Sequence, residues 1–284
     1  MNRKFSVVLM YALTPCHAGS GSALGVVDLP IQRERHTDYP VIFSSGVKGA
    51  FRANFERLKS KLGDSVKEFD GLTENIFGAK SDSSSGDDAG YAGAISVSDA
   101  KILAFPMRSS AAPFVWITCP TVLERLNRDL ELAGKSEKIT FSAPAGDEDA
   151  IALSGDLEGD ILIEDYQVKA KKGEIKSELF AQTERLLLVS DEAFKYGVSC
   201  TPISAQIKID SATGSTATGS LRYQEELPAD TLMYCTIAWG DSKDSEATQK
   251  ADAIEKFIKT AIDKYIQVGG DETLGRGIFK LEWK

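Results

Sequence analysis

Residues 13 to 52, LTPCHAGSGSALGVVDLPIQRERHTDYPVIFSSGVKGAFR, constrain this chain more than any other stretch. The segment begins at the end of an apolar run and finishes on a basic helical pattern. Between them lie His17, three glycines within seven residues (Gly19, Gly21, Gly25), a buried-looking Asp28, and alternating charge from Arg33 to His36. An ordinary connection has no need of Gly, His, Asp and Arg at this density. Loops that carry function are built this way, with a rigid scaffold on either side. The expectation is a working loop between a strand and a helix, with residue types suited to handling and cleaving RNA.

The run before it predicts a central first strand from Lys4 to Leu13, because Phe5, Val7, Val8, Leu9 and Tyr11 are β-formers and Thr14-Pro15 stops them. The same N-terminus superficially resembles a secretory signal. The apolar run is too short to span a membrane, and the would-be cleavage region carries the His/Gly/Asp chemistry, so the strand is preferred. With 284 residues, 42% hydrophobic and 26% charged, the chain fits a globular protein with ample core material. Four scattered cysteines (Cys16, Cys119, Cys200, Cys235) form no CxxC pair, which argues against a disulfide framework or zinc site and fits a reducing cytoplasm. A net charge of −9 argues against a surface that binds nucleic acid all over. Residues 1–60, however, carry eight Lys/Arg against four acids, a net +4 beside −13 for the remainder. One basic working face on an acidic body is expected.

Further along, Tyr39–Phe43 reads as a short extended piece, and Ser44 or Ser45 as the cap of a helix to about Leu62. Val47, Phe51, Phe55 and Leu58 share its inner face, while Lys48 and Arg52, four apart, form a basic stripe beside the helix start. That stripe is a candidate phosphate grip. Residues 78–93 read as a flexible Gly/Ser-rich insertion. Ile95–Val97 and Lys101–Phe105 look like paired strands, Phe114–Thr118 like another, and Pro120 to about Ala133 like a helix stopped by Gly134. Residues 142–160 look acidic and loop-like, and Ile161–Val168 alternates like one strand. Leu186–Val189 is a strand and SDEAFKYG a helix capped by Ser190. A long hairpin, Ile203–Ile209 and Ser220–Gln224, buries little of its own surface and should lean on a partner. Leu232–Trp239 reads as a buried strand. A long helix is expected from Lys243 to Val268, with Ala253, Phe257, Ala261 and Tyr265 inward, then a Gly-rich loop 269–277 and a last strand Ile278–Trp283. This order, with helices on one face of an antiparallel sheet, predicts an α+β, ferredoxin-like layout.

Several chemistries are excluded. The glycines at 19, 21 and 25 are misspaced for a dinucleotide fingerprint, and no helix pattern follows them. There is no HExxH, P-loop or hydrolase elbow. With His17 and His36 alone, a multi-histidine metal site is excluded, so any metal would be held by carboxylates and phosphates, as Mg²⁺ is. Asp28, between Val26-Val27 and Leu29-Pro30, is either a general base or metal ligand, or a cap for a loop N–H. His17 is either an acid or base near neutral pH or a hydrogen-bonding organiser of the loop. In the terminal GGxxTxGRG, glycines permit close approach to a phosphate and Arg276 supplies charge. A helix cap and tight turn would explain Gly269 and Gly270 but not Gly275 and Gly277.

Pro15-x-His17-x-Gly-Ser-Gly, LGVVDLPIQRERHT (24–37), SxVKGAFR (45–52), ISVSDAKILAFPMRS (95–109) and the terminal Gly-Arg-Gly together resemble the RAMP superfamily, and within it the backbone subunits of type III-B CRISPR–Cas (Cmr) effectors. The likeness runs nearly end to end. It implies a single RAMP domain over 1–284: a modified ferredoxin-like, RRM-like palm with an active loop at 14–38 and an inserted β-hairpin thumb at about 198–228. It implies copies of the chain in a helical filament on a CRISPR guide RNA, with other Cmr-type subunits, each copy cutting complementary target RNA at its own position. The family's catalytic aspartate falls on Asp28, and a loop histidine on His17. Glu225 and Glu226 both match an acidic position that assists, and the sequence does not choose between them. Lys48 and Arg52 fall on the guide grip. Gly19, Gly21, Arg33, Arg35, Gly275, Arg276 and Gly277 are the further candidate RNA contacts. The implied reaction is attack by the target's 2′-OH, with a divalent cation, Mg²⁺, as the expected cofactor and Asp28 its candidate ligand. Two alternatives remain open at this point: a non-catalytic RNA-binding scaffold of such a complex, and a stand-alone guide-processing endoribonuclease. No membrane partner is expected.

Overall fold

The computed structural model describes residues 3–23, 25–62, 71–79, 91–243, 249–262 and 264–284. Most of the expected insertion at 78–93 and the expected helix start after Lys243 lie outside the described residues. In chain order the strands are β1 (Lys4–Ala12), β2 (Val41–Ile42), β3 (Ser96–Val97), β4 (Ala100–Met107), β5 (Val115–Thr118), β6 (Asp149–Ala152), β7 (Gly159–Ile163), β8 (Tyr166–Lys172) and β9 (Leu186–Leu188). Then come β10 (Ile203–Gln206), β11 (Arg222–Glu225), β12 (Leu232–Trp239), β13 (Tyr265–Gln267) and β14 (Ile278–Trp283). The helices are α1 (Ser44–Leu62), α2 (Leu72–Phe77), α3 (Pro120–Leu132), α4 (Asp191–Ser199) and α5 (Ala251–Ala261).

One large sheet runs β13-β14-β1-β12-β4-β5-β9-β6-β8-β7, with β2 on β4 and β3 on β12; β10 and β11 form a separate two-stranded ladder. The first strand occupies the middle, antiparallel to β12 and β14. Val7 through Met10 and all of β12 are buried, which explains why both read as continuous apolar runs rather than alternating ones. Both faces of this centre are covered. On one, Ser6 Oγ donates to Glu255 of α5 at 3.0 Å, and Phe51 of α1 meets Trp283, the register partner of Val8. On the other, Tyr234, the partner of Leu9, donates its hydroxyl to Asp129 of α3 at 2.8 Å. Successive strand residues point to opposite faces, so α1 and α5 lie on one side and α3 on the other. The expectation of helices on a single face is corrected.

Local patterning placed α1 well: Val47, Phe51 and Phe55 are fully buried, with Phe55 against Phe77 and Phe257. Its cap is not Ser44 or Ser45. The Ser44 N–H donates to Asp99 Oδ1 at 2.6 Å, and the Phe43 carbonyl accepts from Gly46 and Val47. Ser190 caps α4 as expected, accepting from Ala193 N–H.

Four further expectations are corrected. β3 and β4 pair with β12, not with each other. The region 142–160 contains β6, and Ile161–Val168 spans two strands, β7 and β8, turned at Glu164 with φ of 50°. The long last helix is shorter: α5 ends at Ala261 and buries Ile254 and Ile258 rather than Ala253, and Tyr265 sits exposed in β13. Apolar spacing of three or four residues continued past the helix end and disguised the strand.

Candidate active site and nucleic-acid interface

Strand β11 pairs with β10 along one edge. Its other edge is taken by the working loop. Leu29 N–H donates to Tyr223 O, and Glu225 N–H donates to Leu29 O. Just outside this pair, Tyr223 N–H donates to Asp28 Oδ2 at 2.7 Å, and the Glu225 carbonyl accepts from His17 Nδ1 at 2.8 Å. Residues two apart on a strand turn their backbone groups to the same edge, so β11 holds Asp28 and His17 side by side, about 7 Å apart along the strand. A carbonyl cannot donate, so Nδ1 carries a proton and is engaged by the Glu225 carbonyl, which leaves Nε2 on the other side of the ring. The half-buried ring lies over Gly19, where a Cβ would stand 2.7 Å from Nε2. That glycine makes room for the imidazole.

Asp28 is exposed, not buried: its apolar neighbours protrude, Val26 being 91% accessible. Its Oδ1 has no partner among the described residues. The carboxylate therefore caps a backbone N–H through one oxygen and leaves the other open.

Glu225 and Glu226 are both buried. Glu225 accepts from Arg33 (2.7 Å), Thr201 (2.5 Å) and Ile31 N–H (2.9 Å). Burial pushes its pKa up, but the bonds from Thr201, Arg33 and Ile31, with the Arg33 charge, outweigh it and hold the carboxyl below its usual value. Arg33 also donates to Asp38 O and Val198 O, so it is a clamp between loop, α4 and β11 rather than an open cation. Glu226 faces Arg276, whose Nε lies 3.2 Å from Oε1, within ion-pair distance but without hydrogen-bond alignment. Beside it the Cys16 thiol is pushed up to about 12 by burial and then by the Glu226 charge. Both glutamates thus lie buried behind the loop, engaged with Arg33, Thr201, Ile31 N–H and Arg276.

The terminal loop packs under His17. Gly270 N–H donates to His17 O and Gly277 N–H to Pro15 O. Gly275, with φ of 73°, caps a turn at Glu272–Leu274, and a Cβ on Gly277 would stand 1.9 Å from Val268 O. A cap and close backbone packing therefore do account for Gly275 and Gly277, contrary to the sequence argument. Gly21, with φ of 104°, lies in open space at the loop tip.

A second feature is a groove of about 570 Å³ along the start of α1, with Ser44, Ser45, Lys48, Arg52, Tyr91 and Lys243 in its walls. Arg52 is engaged by Glu56 and the Gly78 carbonyl. Lys48 has no carboxylate partner among the described residues. Burial lowers its pKa, and the Arg52 and Lys243 charges add to that. Arg35 is exposed and also unpaired among the described residues. Asp99 accepts the Ser44 N–H at the helix N-terminus, so the positive charge of the groove comes from Lys48, Arg52 and Lys243.

Among the described residues no cluster of three or more His, Cys, Asp or Glu side chains could hold a metal. The single free oxygen of Asp28 suits a hard, largely hydrated cation, not an all-protein cage.

The RAMP superfamily model matches residues 9–280. The chain belongs to the RAMP superfamily. The CRISPR system Cmr endoribonuclease Cmr4 of Pyrococcus furiosus is 36% identical over 298 residues, covering 99% of this chain and 96% of the relative. A crystal structure of oligomeric Cmr4 from Pyrococcus furiosus superposes with a TM-score of 0.69 at 32% identity, covering 99% of this chain and 98% of that one. A chain of the type III-B Cmr-beta complex bound to cognate target RNA shares the fold, with a TM-score of 0.74 at 21% identity over 98% of this chain and 96% of that one. This RAMP protein is accordingly a mixed α+β structure dominated by one large sheet. No helix among its described residues is long and apolar enough to cross a membrane.

Sequence reasoning missed Tyr223, Thr201, Gln32 and Lys243 as parts of the site. Tyr223 meets Asp28 across 195 residues, Thr201 meets Arg33 across 168, and Lys243 shares a groove with Lys48 at the other end of the chain, so no short-range signal announces them. Gln32 lies inside the QRER run, where its charged neighbours drew the attention.

Proposed function

We propose that this chain is a backbone subunit of a type III-B CRISPR RNA-guided complex that binds guide RNA and cleaves complementary target RNA at regular intervals. The observation that carries the reading is the pairing on β11: a carboxylate with one oxygen pinned and one free, beside an imidazole pinned through Nδ1. Identity to a named endoribonuclease supports the activity, and the oligomeric relative supports stacking of copies.

Two carriers of protons on either side of a phosphate suit transesterification. The target's 2′-OH attacks the adjacent phosphorus while Asp28 Oδ1 takes its proton. The P–O5′ bond breaks, and His17, acting as the imidazolium with Nδ1–H still on the Glu225 carbonyl, gives its Nε2 proton to the leaving oxygen. The products are a 2′,3′-cyclic phosphate and a 5′-OH, with no water consumed. Proton transfer and in-line positioning supply the rate. If Mg²⁺ takes part, Asp28 would be the residue to hold it, in place of acting as the base, and the ion would supply charge neutralisation at the phosphate. Glu225 and Glu226 act by fixing the loop.

In this reading the antiparallel centre β1, β12 and β4 with α1 and α5 is a ferredoxin-like palm. The hairpin within 198–228 is its thumb, and 78–93 and 269–277 are elaborations of one domain. The hairpin is a separate ladder whose Ile203, Ile207, Ile209, Leu221 and Tyr223 are exposed, which supports contact with RNA or a neighbouring copy. Lys48, Lys243, Arg52 and Arg35 hold RNA phosphates, and base pairing between guide and target reads sequence. We place the protein in the cytoplasm, in keeping with its four free cysteines.

The test is cleavage of end-labelled complementary RNA by the guide-loaded complex, wild type beside Asp28→Ala. A regular ladder that disappears in the variant while target binding persists is the expected result. A ladder unchanged by the substitution would refute the assignment, and silence from the wild type would leave a scaffold.

A further inference from the structure

Gln32 sits where three segments meet, and every polar group it has is used. Its backbone N–H donates to Ala18 O at 2.8 Å, and its carbonyl accepts from Val41 N–H at 3.1 Å. Its side-chain Nε2 donates to Gly19 O at 2.9 Å, and its Oε1 accepts from Phe43 N–H at 2.6 Å. Rotating the amide end for end would set donor against donor and acceptor against acceptor, so the orientation is forced. At one end of this strut Gly19 lies directly beneath the His17 ring. At the other, Phe43 supplies the carbonyl that starts α1, one turn before Lys48.

We infer that Gln32 is a positioning residue for RNA cleavage: its carboxamide ties the floor under His17 to the first turn of α1. The inference rests on the function proposed above. A strand gripped at Lys48 and a phosphate presented to Asp28 and His17 must keep a fixed offset, since a small misplacement of reacting groups is costly in rate. The amide sets that offset without touching RNA. Its neighbours in sequence, Arg33 and Glu34, are engaged elsewhere, by Glu225 and Arg125, so the strut is not duplicated by them.

Gln32→Glu keeps the acceptor towards Phe43 N–H but opposes a second oxygen to the Gly19 carbonyl; Gln32→Met removes both bonds at similar volume. Two measurements are made on each full-length variant. The first is single-turnover cleavage by the guide-loaded complex at saturating target, with target affinity measured alongside. The second is the NMR signals of the imidazoles, of which the chain has two, His17 and His36. The expected result is a rate about tenfold lower with target affinity within about twofold of wild type, the loss of one bond and a new repulsion amounting to roughly one decade. The His17 signals should move while His36, exposed beside Arg125, stays. Where the wild type cleaves, an unchanged rate overturns the inference, and so does affinity lost in step with rate. Where the wild type does not cleave, the proposed function has failed instead. The histidine signals then decide alone: movement of His17 supports the strut and immobility overturns it.

Discussion

Arg33 distinguishes a structural clamp from an RNA contact, and Arg33→Met is the variant that separates them. The guanidinium is largely buried, its side chain 18% exposed, and the Glu225 carboxylate it pairs with is 9% exposed. Removing one partner of such a pair leaves a buried charge, which costs roughly 3–5 kcal/mol. Thr201 and Ile31 N–H remain on the carboxylate, which places the expected loss near the lower end, about 3 kcal/mol. For 284 residues the unfolding entropy is about 0.6 kcal/mol/K, so Tm should fall by about 5 °C. The loss has a pH signature. The folded-state pKa of Glu225 is depressed, so its contribution to stability is present above the unfolded value and is lost as pH falls through the folded one. The gap between wild type and variant should therefore be full at neutral pH and narrow in acid, as protonation removes the charge that Arg33 neutralises. Thermal denaturation at several pH values reads this. If Tm stays within about 1 °C while the salt slope of RNA binding drops by about one, Arg33 is a phosphate contact and the clamp argument is wrong.

Gly19→Ala should push the His17 ring off its Glu225 anchor, because the new Cβ would stand 2.7 Å from Nε2. Cleavage should then fall about tenfold or more, whereas Gly25→Ala, with open space around it, should leave the rate unchanged in the same assay. Lys48→Ala and Lys243→Ala should each weaken RNA binding irrespective of sequence and lower the slope of log K against log salt by about one. A slope untouched by Lys243→Ala would remove that residue from the groove's function.

Elements whose partners lie nearby in sequence were legible. Val47, Phe51 and Phe55 declared α1 by their spacing, Ser190 declared the start of α4, and the mainly apolar run of β12 declared a buried strand. The site was legible in its residue types, since His17 and Asp28 stand out in a loop of glycines. Their surroundings were not. Asp28 looked buried because apolar residues flank it, yet Val26 protrudes into solvent. Arg33 looked like an RNA contact because charge alternates around it, yet Glu225 and Thr201 consume it. The strand hidden after α5 was missed because an apolar period near 3.6 ran on past the helix end.

The sequence alone, then, determined the local elements and which residues could do chemistry, because backbone propensity and apolar period act over a few neighbours. Tertiary structure alone decided which of those residues lie together and which are already engaged by partners. Asp28 and His17 meet only because β11, some 200 residues later, offers them one edge, and Asp99 caps α1 from 55 residues away. Contacts closed over such distances depend on how the sheet folds back on itself, and no window of the chain records them.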